Sequence, residues 1–255
     1  MEACGKILKK IIGGEKVNLS DKYPFMATIW YYEGNDFNFK CGATFIGRRY
    51  FLTAAHCLKN REQKKIIIKM GSCYLKKMPV LLEIERIFIH PDFVPSSLKN
   101  DIAILQVKED IPPQYNFPVR LPCTHIQNYC YNIGHTVRVI GFGKEEDRDR
   151  AKFVEQLKEV DLRVKSMEES KYHKSMVTND MFLAGGIKGN TILDSCTGDS
   201  GGPCLKFFHD CWVLVGIVSW GDSSGKKDAP GVYTKVLNYY YWIRSVCGFS
   251  HCNTH

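Results

Sequence analysis

No apolar run in the 255-residue chain approaches the ~18 residues a membrane-spanning helix needs; the longest, Cys211–Trp220, is broken by Gly216 and Ser219. No membrane partner is expected. Low-complexity segments and short internal repeats are absent, and sustained helical periodicity is scarce. Charged residues make up only 24% of the chain against 44% hydrophobic and 12% aromatic, which excludes disorder as the main state. The 35 Lys and Arg exceed the 27 Asp and Glu by a net charge of +8. No concentrated basic arm accompanies that surplus, so no nucleic-acid partner is expected. C-x-x-C pairs, which would suggest metal or thiol-redox chemistry, are also missing.

What is present is a large core and many cysteines. At ~150 residues per domain the length fits one large or two small domains. Eleven cysteines are more than a reducing cytosol usually accommodates, so disulfides and a secreted location are expected. Their odd number leaves at least one thiol free or paired outside the chain. The sequon Asn18-Leu19-Ser20 also fits export. Met1–Lys10 has basic residues but no apolar stretch of ~7–15, so no secretory signal is visible in it.

Short β-branched and aromatic runs bounded by Gly, Pro, Asn or Asp recur at Met26–Tyr32, Ala43–Ile46, Lys65–Met70, Leu81–Ile89, Ile102–Val107, Val137–Ile140, Trp212–Ser219 and Gly231–Val236. This pattern predicts an all-β sandwich or barrel architecture. Two helices are expected, one after Ser166 and one from Asn238 to Val246 with Asn238 as N-cap. The charged stretch Lys144–Lys152 reads as an exposed loop.

Three separated segments carry chemistry. Thr53–Cys57 (TAAHC) places His56 at the end of an apolar strand, Asn100–Leu105 (NDIAIL) places Asp101 ahead of another, and Gly198–Pro203 (GDSGGP) places Ser200 among glycines. Singly, each is a structural histidine, a turn aspartate or a loop. Together, in the order His, Asp, Ser, they supply a weak nucleophile, a base of ordinary pKa ~6.5 able to take its proton, and a group to orient that base.

With these motifs, from Ile11 to about Val246, the sequence resembles the chymotrypsin/trypsin family of serine endopeptidases. The resemblance implies two packed antiparallel six-stranded β-barrels, about 11–125 and 126–236, followed by a C-terminal α-helix at about 238–247. It implies Ser200 as nucleophile, His56 as general base and acid, and Asp101 as the group that orients and stabilises the imidazole. The N–H groups of Gly198 and Ser200 would form the oxyanion hole, each such donor being worth roughly 3 kcal/mol. Asp194, six residues before Ser200, matches the acid at the base of a pocket for Arg or Lys, with Ser195 beside it and Ser219, Gly221 and Gly231 in its walls. Ile11-Ile12-Gly13-Gly14 after Lys10 resembles an activation junction, so residues 1–10 read as an activation peptide and the chain as a zymogen. Asp199 would receive the freed Ile11 ammonium; a buried carboxylate deprived of its partner loses ~3–5 kcal/mol.

The resemblance also implies a Cys41–Cys57 disulfide. Elsewhere the chain departs from the family pattern. Val137 and Lys206 replace one common bridge, Leu183 stands for a cysteine of another, and Ser224 replaces the partner of Cys196, with Ser223 where glycine is frequent. Cys204 and Cys211, flanking a turn-like Phe208-His209-Asp210, are expected to approach each other across a hairpin, and Cys4 to tether the cleaved peptide to Cys123. Cys73, Cys130, Cys247 and Cys252 stay unassigned. Basic residues in Lys59–Lys69 and at Lys76-Lys77 form a solvated face or a site for an acidic protein or polysaccharide. Carboxylates that hold calcium in some relatives are missing around Ser72, so neither metal nor cofactor is expected. The expected activity is hydrolysis of protein or peptide bonds after Arg or Lys by a monomer. A catalytically silent homologue acting as a binding protein, toxin or cascade scaffold is the alternative; its mark, a broken triad or pocket, is not seen.

Overall fold

A computed structural model describes residues 14–58, 65–123, 127–144, 152–188, 191–193, 198–222 and 229–249. Among them are β1 (Glu15–Lys16), β2 (Met26–Glu33), β3 (Asp36–Gly47), β4 (Tyr50–Thr53), β5 (Ile66–Met70), β6 (Val80–Ile89), β7 (Ala103–Val107), β8 (Thr136–Gly141), β9 (Lys158–Lys165), β10 (Met181–Lys188), β11 (Thr191–Leu193), β12 (Pro203–Phe208), β13 (Cys211–Trp220) and β14 (Gly231–Lys235). The first barrel closes in the order β2-β3-β4-β7-β6-β5. The second runs β9-β8-β12-β13-β14-β10 and closes by pairing β10 back onto β9, with β1 added at β9 and β11 at β10. The expected pair of six-stranded antiparallel barrels is therefore present, and a helix, Tyr240–Cys247, follows them.

Period-two patterning builds the walls. In β9, Val160, Leu162 and Val164 point into the second barrel while Asp161 and Arg163 face solvent. In β6, Val80, Leu82 and Ile84 point inward and Leu81 and Glu83 outward. By contrast Met26–Tyr31 of β2 and Cys41–Gly47 of β3 are buried on successive residues, because both faces of these strands are covered. One apolar cluster joins the first barrel to Ile140, Leu205 and Ile217 of the second and to Ile243 of the C-terminal helix. The seam between the barrels is thus core.

Glycine makes the closest part of that seam. The Gly42 N–H donates to the Ser200 carbonyl at 2.8 Å, and a Cβ on Gly42 would lie 2.7 Å from the Gly202 Cα. Strand β3 can approach the backbone ahead of β12 this closely only because Gly42 lacks a side chain.

Several local expectations are corrected. Ser166 and Glu169 do form a capping box, but the helix is a single turn, Met167–Glu169. The following SKYHKS has no apolar stripe to bury, so nothing propagates the turn. Asn238 is not an N-cap: it sits within a 3-10 turn, Val236–Tyr239, and its amide donates to the Asn179 carbonyl at 3.2 Å. Cys204 and Cys211 are not bonded. The hairpin turn puts Phe208 opposite Cys211, whereas Cys204 lies opposite Gly216. At the missing bridge, Val137 is buried in the second barrel and the Lys206 ammonium donates to the Thr136 carbonyl at 2.9 Å. Leu183 is buried beside Val232. Of the loop expected at Lys144–Lys152, residues 145–151 lie outside the described residues. No helix among the described residues is long and apolar enough to cross a membrane.

The glycine seam predicts that Gly42→Ala destabilises the protein by about 1–3 kcal/mol, as overpacking against backbone does. Urea unfolding of the two proteins side by side measures this, and indistinguishable midpoints would contradict the close approach.

Candidate active site

His56 lies in a 3-10 turn, Ala55–Leu58, that leaves the end of β4. Two features fix the turn: Ala54 and Ala55 are small enough to be fully buried, and a disulfide joins Cys57 to Cys41 of β3. Asp101 lies two residues before β7, the strand paired with β4, so strand pairing brings the two residues together. His56 Nδ1 is 2.7 Å from Asp101 Oδ2, and the His56 backbone N–H donates to Oδ1 at 2.9 Å. From the other barrel, the Ser219 hydroxyl donates to Oδ2 at 2.5 Å. The Thr234 hydroxyl donates to the Asp101 backbone carbonyl at 2.9 Å.

Asp101 is completely buried, whereas the His56 side chain is 26% exposed. Taking a carboxylate out of water costs several kcal/mol unless its oxygens are hydrogen-bonded, and here three donors meet them. A carboxylate only accepts, so Nδ1 carries the proton and a neutral His56 keeps its lone pair on Nε2. That tautomer suits a general base.

The Ser200 loop is hydrogen-bonded to β3 and to β13, the strand that carries Ser219, and packs against the end of β4 ahead of His56. Gly201, at φ +76°, donates its N–H to the Val218 carbonyl of β13 at 2.8 Å, and a Cβ there would lie 2.2 Å from the Thr53 hydroxyl and 3.2 Å from Ala54 N. Gly198, at φ +100°, is packed so that a Cβ would meet the Phe153 ring at 2.6 Å. Between them Ser200 is partly exposed, with its carbonyl on Gly42.

Asp199 turns away from Ser200. Its buried carboxylate accepts the Gly143 N–H at 2.7 Å, and a Cβ on Gly141 or Gly143 would fall 2.0 or 2.4 Å from its oxygens. These glycines were not singled out from sequence; the tripeptide Gly141-Phe142-Gly143 at the end of a strand was the available signal. Ser219, expected in a pocket wall, spends its hydroxyl on Asp101. Gly221 and Gly231 do face each other, a Cβ on Gly221 lying 3.5 Å from the Gly231 Cα. Asp194, Ser195, Cys196, Ser223 and Ser224 lie outside the described residues, as do Lys10, Ile11, Cys4, Cys252 and Lys59–Lys64.

Described lysines of the basic stretches have partners nearby: Lys69 is 4.1 Å above the Trp30 ring, Lys76 is 4.0 Å from Glu155, and Lys77 is 5.4 Å from the Tyr74 ring centre. Among the described residues no group of three or more His, Cys, Asp or Glu is arranged to hold a metal.

A family model described as Trypsin matches residues 11–243. The chain is 33% identical over 264 residues to CLIP domain-containing serine protease B4 of Anopheles gambiae, covering 94% of this chain and 71% of that protein. It is 32% identical to CLIP domain-containing serine protease B9 of the same organism, of which it spans 64%. Vitamin K-dependent protein C of Mus musculus is 35% identical over 217 residues, covering 82% of this chain and 46% of that protein.

The Asp199 seat predicts that Gly143→Ala, whose methyl must displace the carboxylate, lowers peptidase turnover by about 100-fold or more through misplacement of the neighbouring serine. Turnover of a peptide ester, compared at matched near-ultraviolet circular dichroism, measures the effect; wild-type turnover would show that the seat is irrelevant to Ser200.

Proposed function

Because the chain belongs to the trypsin family of serine proteases, we propose that it is a serine endopeptidase cleaving after Arg or Lys, made as a zymogen activated by a cut after Lys10. The observation that carries the reading is the His56–Asp101 pair, with Ser219 completing it from the second barrel and the Ser200 loop hydrogen-bonded to β3 and β13.

The chemistry follows from these groups. The Ser200 hydroxyl attacks the scissile carbonyl while His56 Nε2 takes its proton, and Asp101 stabilises the imidazolium through Nδ1. Negative charge on the carbonyl oxygen is met by the N–H groups of Gly198 and Ser200. Collapse of this intermediate expels the amine, to which His56 returns the proton, and leaves an ester on Ser200. Water, deprotonated by the same imidazole, then attacks the ester, and collapse releases the acid as His56 returns that proton to the Ser200 oxygen. No metal or cofactor enters the scheme.

For specificity, Asp194 supplies an anionic floor assisted by Ser195, and the paired Gly221 and Gly231 leave a slot for a long side chain. For activation, the Ile11 ammonium joins Asp199, whose seat against Gly143 commits that carboxylate away from the nucleophile. Export to an oxidising compartment fits both the disulfide and the cysteine content.

Lys10-cleaved protein should be labelled stoichiometrically by a serine-directed organophosphate, with label lost in Ser200→Ala; absence of label on the cleaved wild type would favour a silent binding protein. Asp194→Ser should cut cleavage after Arg and Lys by roughly 100-fold or more. A peptide-library profile with unchanged preference would remove Asp194 from the pocket. Acetylating the new Ile11 ammonium should abolish activity, and full activity after acetylation would defeat the proposed switch.

A further inference from the structure

Asp101 is held from behind as well as from the front. Asn100, the residue before it, has φ +55°, in the left-handed region that few side chains adopt and asparagine tolerates best. The Asn100 N–H donates to Asp180 Oδ2 at 2.9 Å, and its side-chain Oδ1 accepts the Tyr239 hydroxyl at 2.9 Å. Its Nδ2 donates to the Asp92 carbonyl at 2.8 Å, and its own carbonyl accepts the Ile102 N–H at 2.9 Å. Tyr239 also lies 3.2 Å from Asp180 Oδ2, so its one proton is shared between two oxygens. The other oxygen of Asp180 accepts the Thr178 hydroxyl, and its backbone carbonyl accepts the Lys235 N–H at 2.8 Å.

These contacts cross the molecule. Asp180 lies just before β10 of the second barrel, and Tyr239 ends the turn that leads into the C-terminal helix, yet both close on a loop of the first barrel. Burial alone would raise the Asp180 carboxyl, but hydrogen bonds from Thr178 and the Asn100 N–H outweigh it and hold the group below its ordinary range. Burial and the neighbouring Asp180 push the Tyr239 phenol up, so it stays protonated and can donate.

We propose that Asp180 and Tyr239 are positioning residues: they clasp Asn100 in its left-handed turn and so fix the Asp101 carboxylate against His56. On the far side of Asp101, β7 is already fixed by its ladders to β4 and β6, so the conformation of residue 100 is what aims the carboxylate. The inference rests on the reading of the chain as a working serine protease. A displacement near 1 Å at such a site is enough to cost about 100-fold in rate.

The test uses the full chain cleaved after Lys10, with peptide-ester kinetics, burst titration and melting temperature recorded for wild type, Asp180→Ala, Asp180→Asn and Tyr239→Phe. Asp180→Ala should lower kcat by about 10- to 100-fold with KM nearly unchanged, the signature of misaligned chemistry and not of lost binding. Asp180→Asn keeps an oxygen for the Asn100 N–H and should retain kcat within about threefold, because the clasp works by geometry and not by charge. Tyr239→Phe, which deletes one oxygen, should lower kcat by a smaller factor than Asp180→Ala. A folded Asp180→Ala with wild-type kcat overturns the clasp, as does an Asp180→Asn loss equal to that of alanine. Should Asp180→Ala fail to fold, Tyr239→Phe decides, and wild-type kcat there overturns the proposal. A wild type without a burst would sink the serine-protease reading itself, and the clasp with it, which separates the two failures.

Discussion

A carboxylate with no access to water stands at the junction of the two barrels, and its solvation by protein groups sets the terms for everything around it. Asp101 takes two hydrogen bonds from His56 in the first barrel and one from Ser219 in the second, while Thr234 holds its backbone. Unmade, those bonds would leave a charge buried at a cost of several kcal/mol, a large part of what any domain has in hand. The barrels must therefore dock in one register. Gly42 permits the approach, and the apolar cluster that spans both barrels gives it a driving force.

Asp199 is the second buried acid, and the fold treats it differently. Asp101 is surrounded by donors from the disulfide-tied turn of His56 and from strand β13, whereas Asp199 lies in a recess that exists because residues 141 and 143 lack side chains. The first arrangement suits a group that must not move during catalysis. A recess suits a group whose burial depends on a partner arriving, as the Ile11 ammonium is proposed to do.

The sequence made the motifs of the candidate site more legible than the local structure. His56, Asp101 and Ser200 each stand inside a compact motif, and strands β2, β5, β6, β7 and β13 announce themselves by runs and turns within a residue or two. Strand β9 is hard to see in KEVDLRVK although it alternates, because its hydrophobic positions are diluted by charge on the solvent face. The helix expected after Ser166 stops at one turn because its capping box satisfies the first N–H groups but supplies nothing to bury afterwards. The spacing of Cys204 and Cys211 suggests a pair, yet the turn between β12 and β13 is too tight to set them opposite. The contacts of Asn100 with Asp180 and Tyr239 join residues 80 and 139 positions apart, so no local pattern signals them. Ser219 read as a wall of the substrate slot because its neighbours Trp220 and Gly221 do; only the packing of β13 reveals where its hydroxyl goes.

The recess formed by Gly141 and Gly143 has an evolutionary corollary. A gene copy released from peptide-bond cleavage no longer has to leave space for the Asp199 carboxylate, so drift can fill either position with a single codon change while both barrels persist. A copy retained for digestion or signalling by proteolysis must keep the tripeptide small at both ends. On the proposed activity, those two codons would mark its loss independently of the nucleophile, and a lineage could cross that line before its serine changes.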